Sequence, residues 1–102
     1  MELELYWTAF AKNELQDIFD YYKEKASPTF ARKLISGIVH ETARLKTKSY
    51  IGQIEQLLVE QGQAFRYLVY KNYKVIYWIN ENKSRIEITD VFDTRQNPRK
   101  NN

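Results

Sequence analysis

The second half of the chain alternates apolar stretches with short polar breaks, a pattern that predicts a β-meander. The apolar stretches are rich in aromatic and β-branched residues, which favour strands. The predicted strands span 66–70, 73–79 and 85–92. Lys71 and Asn72 form a break short enough for a two-residue hairpin, since Asn tolerates positive φ. The alternation shifts near Asp90, which predicts a β-bulge or the end of regular pairing.

The first half changes from a strand period to a helix period. Residues 2–7 alternate polar and apolar, as in a half-buried strand. Thr8 and Ser27 are favourable N-caps, and Pro28 suits the first position of a helix. We therefore expect one helix between the two caps and a second from Pro28 to about Leu45. A turn this short predicts that the two helices pack as an antiparallel hairpin.

These elements predict an α+β fold, in which an N-terminal strand, an antiparallel helix hairpin and a three-stranded antiparallel meander follow one another. Both helices are expected on one face of the sheet. The middle strand is apolar on both sides and is expected at the centre, while the N-terminal strand joins the meander at an edge or inserts beside one of its strands. The helix residues expected in the core are Ala11, Leu15, Ile18, Phe19, Leu34, Ile35 and Ile38. Their expected strand partners are Val69, Val75, Tyr77, Ile86 and Ile88.

Other parts of the pattern are less informative. Residues 46–64 contain the apolar run Leu57-Leu58-Val59 and are expected to be a connecting loop with at most one helical turn. Gly37 lies inside the second helix, where it could let another part of the chain approach closely, although the simpler interpretation is a tolerated glycine. The 102 residues are expected to form a single domain, 1–102, whose last ten residues, 93–102, are a polar tail.

Composition narrows the chemistry. The chain has no cysteine and one histidine, His40, so neither a disulfide framework nor a zinc site is expected, and no cofactor is predicted. His40 occupies a helical position away from the meander and is interpreted as a surface or packing residue. No apolar run approaches the roughly 20 residues of a membrane span. The N-terminus does not resemble a signal peptide, and the expected location is the cytoplasm.

Charge is unevenly distributed along the chain. Residues 1–65 carry eight basic and nine acidic side chains, whereas residues 66–102 carry eight basic and four acidic ones. The positive charge therefore belongs to the meander and the tail. This distribution suits an acidic partner, either nucleic acid or an acidic protein, although a basic surface without a partner would have the same composition.

In this order, several short motifs resemble the RelE/ParE superfamily of bacterial toxins, the plasmid stabilisation family of type II toxin–antitoxin systems. The motifs are Trp7 with Ala11 and Leu15-x-x-Ile18, Tyr21-Tyr22, Ala31 with Ile35, Arg66-Tyr67-Leu68-Val69, Asn72-Tyr73-Lys74-Val75-Ile76-Tyr77 and Asp93-Thr94-Arg95-Gln96-Asn97-Pro98. The chain departs from many relatives before Gly52, where Ser49-Tyr50-Ile51 stands in place of a segment with proline.

The resemblance implies a growth-inhibiting toxin that a cognate antitoxin neutralises, as a hetero-oligomer, with a homodimer also open. ParE-like members inhibit DNA gyrase, whereas RelE-like members cleave messenger RNA on the ribosome without a metal. Fold does not decide between these targets. The long helix hairpin favours a ParE-like gyrase inhibitor. The alternatives are a RelE-like endoribonuclease and an inactive relative that only binds its antitoxin.

If the protein is a nuclease, the resemblance places its catalytic residues at Arg95, Lys74, Arg66 and Tyr73, with Lys71 nearby. Cleavage through the 2′-hydroxyl needs a base, an acid and cations that stabilise the phosphorane charge. Lys74 and Arg95 could hold a phosphate, but no convincing base accompanies them. Arg95 has a simpler interpretation as well, because it could pair with Asp90 or Asp93 and fasten the tail.

Overall fold

A computed structural model describes residues 3–56 and 62–96 of the chain. Its helices and strands, in chain order, are β1 (Glu4–Trp7), α1 (Ala9–Lys25), α2 (Pro28–Ala43), β2 (Gln53–Ile54), β3 (Arg66–Tyr70), β4 (Tyr73–Asn80) and β5 (Arg85–Asp93). Short 3₁₀ turns follow α2, β4 and β5. The predicted run 57–59 and the end of the tail, 97–102, lie outside the described residues.

The described strands form one sheet in the order β1-β5-β4-β3-β2. β3, β4 and β5 are the predicted antiparallel meander, and β4 lies at its centre as expected. β1 joins at the edge by pairing parallel to β5, so the sheet is mixed. The other edge is β2, a strand that the sequence pattern did not predict, because two residues are too few to display an alternation.

Both predicted caps begin a helix. The Thr8 hydroxyl accepts a hydrogen bond from the backbone N–H of Ala11 at 3.2 Å, and the Ser27 hydroxyl accepts one from the N–H of Phe30 at 3.0 Å. Each cap satisfies one backbone donor that the first turn leaves without a partner. The helices therefore begin at the predicted residues, and the second ends at Ala43, two residues earlier than expected.

The core lies between the helix hairpin and one face of the sheet. Ala11, Leu34 and Ile38 are buried there, and Leu15 and Ile18 pack around them half-buried. The strand side contributes Leu68, Tyr73, Val75, Tyr77, Ile86, Ile88 and Val91. Phe19 and Ile35 of the expected core are also half-buried.

The prediction that Val69 lies in the core is wrong, since its side chain is 54% exposed. Leu68 pairs with Val75 across the β3–β4 ladder, and these two residues point toward the helices. Successive side chains on a strand point to opposite faces, so Val69 must lie on the face away from the helices, here called the outer face.

The β3–β4 hairpin closes with two residues, as predicted, but the positive φ of 54° belongs to Lys71 and not to Asn72. The expected irregularity near Asp90 is also present. The ladder pairs Ile76 with Asp90 and Tyr77 with Ile88, which leaves Thr89 as the extra residue of a bulge. This bulge keeps Ile88 and Val91 on the same face of β5, so both reach the core.

The segment before β2 is held to the sheet by the buried Tyr77 side chain. The Tyr77 hydroxyl donates a hydrogen bond to the Ser49 carbonyl oxygen at 2.8 Å and accepts one from the N–H of Gly52 at 2.9 Å. A side chain on Gly52 would meet the Tyr67 carbonyl oxygen at 2.7 Å. Glycine is therefore required there for the chain to approach the sheet closely.

Gly37 also permits a close approach, so the interpretation of a merely tolerated residue is incomplete. The Tyr70 ring of β3 lies directly against the Gly37 backbone, and any Cβ at position 37 would overlap the Tyr70 hydroxyl. The absence of a side chain at position 37 allows the Tyr70 ring of β3 to pack against the backbone of α2.

Gly37→Ala should therefore destabilise the fold. On an open helix surface this change would raise stability by up to about 1 kcal/mol through helix propensity. Here we expect a loss of about 1–3 kcal/mol, the usual cost of overpacking. Urea unfolding compares the variant with Ser36→Ala, an exposed neighbour on the same helix. A Gly37→Ala protein as stable as the control would contradict the contact with Tyr70.

Ile76→Asp should unfold the protein, because Ile76 is only 2% exposed and an unpaired buried charge costs several kcal/mol. Val69→Asp is the matched control, since Val69 lies on the adjacent strand and outer face but is exposed. Circular dichroism should show loss of structure in the first variant alone. Native spectra for both would refute the central burial of β4.

Candidate functional site

Lys74 lies on the outer face, where it is held by an acidic partner. Its Nζ atom is 2.6 Å from Oε1 of Glu55, and it also lies 4.1 Å from the centroid of the Tyr67 ring. The side chains of Lys74 and Glu55 are 15% and 7% exposed. The cation of Lys74 is therefore neutralised and largely shielded from solvent.

Arg66 lies at the end of β3 away from the hairpin, and its guanidinium is engaged by the segment before β2. Its Nη1 atom donates a hydrogen bond to the Gly52 carbonyl oxygen at 2.8 Å. The guanidinium also stacks 5.0 Å from the centroid of the Tyr50 ring. These contacts tie the β2 segment to β3, so Arg66 has a structural role in the folded chain.

Arg95 follows β5 and forms a two-point ion pair with Asp93. Its Nη2 atom is 2.9 Å from Oδ2 of Asp93, and its Nε atom donates to Oδ1 at 3.1 Å. The turn itself is fastened to the β3–β4 hairpin, because the N–H and hydroxyl of Thr94 both donate to the Asn72 carbonyl oxygen, at 2.8 and 2.9 Å. The sequence suggested two roles for Arg95, a phosphate contact and an ion pair that fastens the tail, and the pairing with Asp93 corresponds to the second role.

Tyr73 lies beside this ion pair on the helix side of β4. It is 3% exposed and its hydroxyl shares a hydrogen bond with Tyr22 of α1, which also contacts Arg95. Burial, and next the hydrogen bond with Tyr22, raises the pKa of Tyr73 well above its usual range. Its hydroxyl therefore stays protonated at neutral pH and is unsuited to act as a general base.

A cleft of about 420 Å³ opens between α1 and the end of β5, and we refer to it as the tail cleft. Its lining residues are Glu14, Asp17, Ile18, Tyr21, Tyr22, Tyr73, Val91, Phe92, Asp93 and Arg95. Glu14 closes one end, where its Oε1 atom accepts a hydrogen bond from the N–H of Val91 at 2.6 Å. The cleft thus has aromatic walls and carboxylates at its border.

The four residues that the resemblance suggested are not assembled into one site. Tyr73 and Arg95 meet at the tail cleft, whereas Lys74 lies on the opposite face of the sheet and Arg66 lies at the far end of β3. Their catalytic roles remain predictions. Tyr22 was not predicted for this site, because its contact with Tyr73 joins residues 51 positions apart and no local pattern reveals it.

Residues 5–98 of this chain match a protein family described as "ParE toxin of type II toxin-antitoxin system, parDE". The match covers nearly the whole sequence, and the chain belongs to this family of toxins. No curated protein matches it.

Two solved structures share the fold. One is the chromosomal ParDE toxin–antitoxin system from P. aeruginosa, with 21% identity and a TM-score of 0.74 over 90% of this chain and 96% of the other. The second is the toxin–antitoxin complex RelBE2 from Mycobacterium tuberculosis, with 14% identity and a TM-score of 0.56 over 91% and 99%. The fold is therefore that of ParE and RelE toxins.

Within 3–56 and 62–96, no three His, Asp or Glu side chains lie close enough together to hold a metal ion. In the same ranges, no helix has the length and apolar character needed to cross a bilayer.

The Arg95–Asp93 pair predicts a pH effect. Hydrogen bonds from Arg95 lower the pKa of Asp93 from 3.8 to about 2. Because the folded pKa is the lower one, the pair stabilises the fold above pH 3.8, and this stabilisation is lost as the pH falls toward 2.

Arg95→Gln should raise the Asp93 pKa toward 3.8 and reduce the loss of stability over this acid range. Carboxyl titration by NMR measures the first effect, and thermal unfolding at several pH values measures the second. Arg85→Gln, which removes the partner of Glu87 at the other end of β5, should leave Asp93 unchanged. An unaltered Asp93 pKa in Arg95→Gln would show that the pair does not form.

Proposed function

We propose that this toxin inhibits DNA gyrase and is neutralised by a cognate antitoxin. The observation that carries the proposal is the match of the ParE toxin family over residues 5–98. In this proposal the chain acts in the cytoplasm, as one domain, and needs no cofactor.

The state of the candidate catalytic side chains supports a binding mechanism over a nuclease. Both cations proposed for a phosphate, Lys74 and Arg95, are held in ion pairs, with Glu55 and Asp93. They lie on opposite faces of the sheet, so they cannot contact the same phosphate in this conformation. Tyr73 is buried and protonated, so the one hydroxyl among the four candidate catalytic residues is unsuited to act as the base.

An antitoxin partner is supported by both similar structures, since one is a ParDE toxin–antitoxin system and the other is the RelBE2 toxin–antitoxin complex. The chain also has features that a wrapping partner could use. β2 is an edge strand whose residues are exposed, and Tyr50, Ile51 and Ile54 expose apolar surface beside it. An extended segment can add to such an edge, and an amphipathic helix can cover the apolar residues.

Brief induction of the toxin in cells separates the proposed function from its rivals. We expect inhibited supercoiling by gyrase and intact messenger RNA, with growth restored by co-expression of the antitoxin from the adjacent gene. The messenger RNA should then remain intact in cells that express Arg95→Ala, and also in cells that express Arg32→Ala, an exposed control on α2. Supercoiling is assayed with purified protein, and messages by mapping of 5′ ends.

Other outcomes identify the rivals. Codon-phased cuts that fall about 10²–10³-fold in rate in Arg95→Ala, but not in Arg32→Ala, would contradict gyrase inhibition and favour the ribosome-dependent nuclease. A protein that binds its antitoxin without either effect would be an inactive relative.

A further inference from the structure

The tail cleft is an acidic site on a basic protein. The chain carries a net charge of +3, and most of the excess lies in residues 66–102. Among the described residues that line the cleft the balance reverses, because they include three carboxylates, from Glu14, Asp17 and Asp93, and one cation, Arg95. A local field of this sign attracts a positively charged group.

The three carboxylates differ in their availability. Asp93 is bound by Arg95, and Glu14 accepts the N–H of Val91. Asp17 is exposed on α1, and within the described residues it makes no hydrogen bond or ion pair. Asp17 is therefore the carboxylate that an incoming cation could reach without displacing an existing contact.

The walls of the cleft suit the same kind of group. Tyr21 is 54% exposed and packs edge-on against Tyr22, with ring centroids 5.0 Å apart. Aromatic faces attract ammonium and guanidinium groups, and arginine stacks on them well. Arg95 already provides an internal example, since its guanidinium binds Asp93 in a fork and contacts the Tyr22 hydroxyl.

We propose that the tail cleft binds one arginine or lysine side chain of the antitoxin, with Asp17 as its ion-pair partner and Tyr21 as its aromatic contact. The identity of this partner rests on the proposed function. The volume of about 420 Å³ is within the range of about 300–1,000 Å³ for small-ligand pockets and accommodates one long side chain.

A single acidic cleft would fix the register of the bound antitoxin. Acidic residues of a wrapping segment can pair with many positions on a basic surface, so they attract the segment without aligning it. A basic residue of that segment finds its complement at the cleft and is repelled by the excess of basic side chains in residues 66–102. Charges confer specificity on an interface in this way, because opposite charges favour the correct arrangement and like charges disfavour the others.

Two charge reversals on the same helix test the proposal. Asp17→Lys places a cation at the cleft, whereas Asp20→Lys makes the same change of net charge at an exposed position outside the lining. Calorimetry with the antitoxin of the adjacent gene should show affinity weakened about tenfold or more by Asp17→Lys, because like charges brought together are costly. Asp20→Lys should keep or increase the affinity for an acidic antitoxin.

A small probe tests the cleft without any antitoxin. N-acetyl-argininamide should shift the NMR signals of Tyr21 and Tyr22 in the wild-type protein and shift them much less in Asp17→Lys. The neutral analogue N-acetyl-norleucinamide is the matched control and should cause no comparable shift. This readout is independent of gyrase and of the antitoxin.

The outcomes separate the two proposals. Equal antitoxin affinities for the two charge-reversal variants would overturn the assignment of this partner to the cleft, even if the argininamide binds. Failure of the argininamide to bind would overturn the cation site itself. A third outcome is a protein that binds the argininamide at the cleft but has no antitoxin and no effect on gyrase. This outcome would refute the proposed function and the antitoxin as the occupant of the cleft, but it would support the cation site.

Discussion

The fold depends on the burial of β4 on both faces. Val75 and Tyr77 point into the core and are fully buried, while Ile76 between them points the other way and is 2% exposed. A strand in this position must have hydrogen-bonded neighbours on both sides, which β3 and β5 supply. The helix hairpin then covers the face that carries Val75 and Tyr77, and the remaining strands extend the sheet outward.

Because β4 is central, its side chains also hold the less regular parts of the chain. The Tyr77 hydroxyl binds the segment before β2, and Tyr73 at the other end of the strand meets Tyr22 at the tail cleft. The outer face has its own anchor, the ion pair of Lys74 with Glu55. Several polar groups that were candidates for catalysis are thus engaged in structural contacts, which agrees with the proposed binding mechanism.

Elements with a long period or a specific cap were predictable from the sequence. Thr8 and Ser27 mark helix starts because their hydroxyls can cap the first turn. The strands of the meander were recognisable because they are rich in aromatic and β-branched residues. Val69 was misplaced because hydrophobicity alone does not fix which face of a strand is buried; the pairing of Leu68 with Val75 does. β2 and the Gly37–Tyr70 contact depend on distant residues, and so they have no local signature. At the site, an ion pair of Arg95 with Asp90 or Asp93 was one of two interpretations of the sequence, and Asp93, two residues away, is the partner, whereas Tyr22 was not predicted.

The parallel pairing of β1 with β5 has a consequence for the order of folding. Glu4 pairs with Arg85, so the two strands of this ladder are 81 residues apart in the sequence. Contacts of such sequence separation form late, because the chain entropy of closing the intervening loop must be overcome first. The tail cleft has the same dependence, since α1 and the end of β5 both build it. During synthesis the helix hairpin can form early, but the mixed sheet and the cleft are complete only after the last strand has left the ribosome. The nascent toxin therefore lacks its finished surface until β5 has emerged from the ribosome.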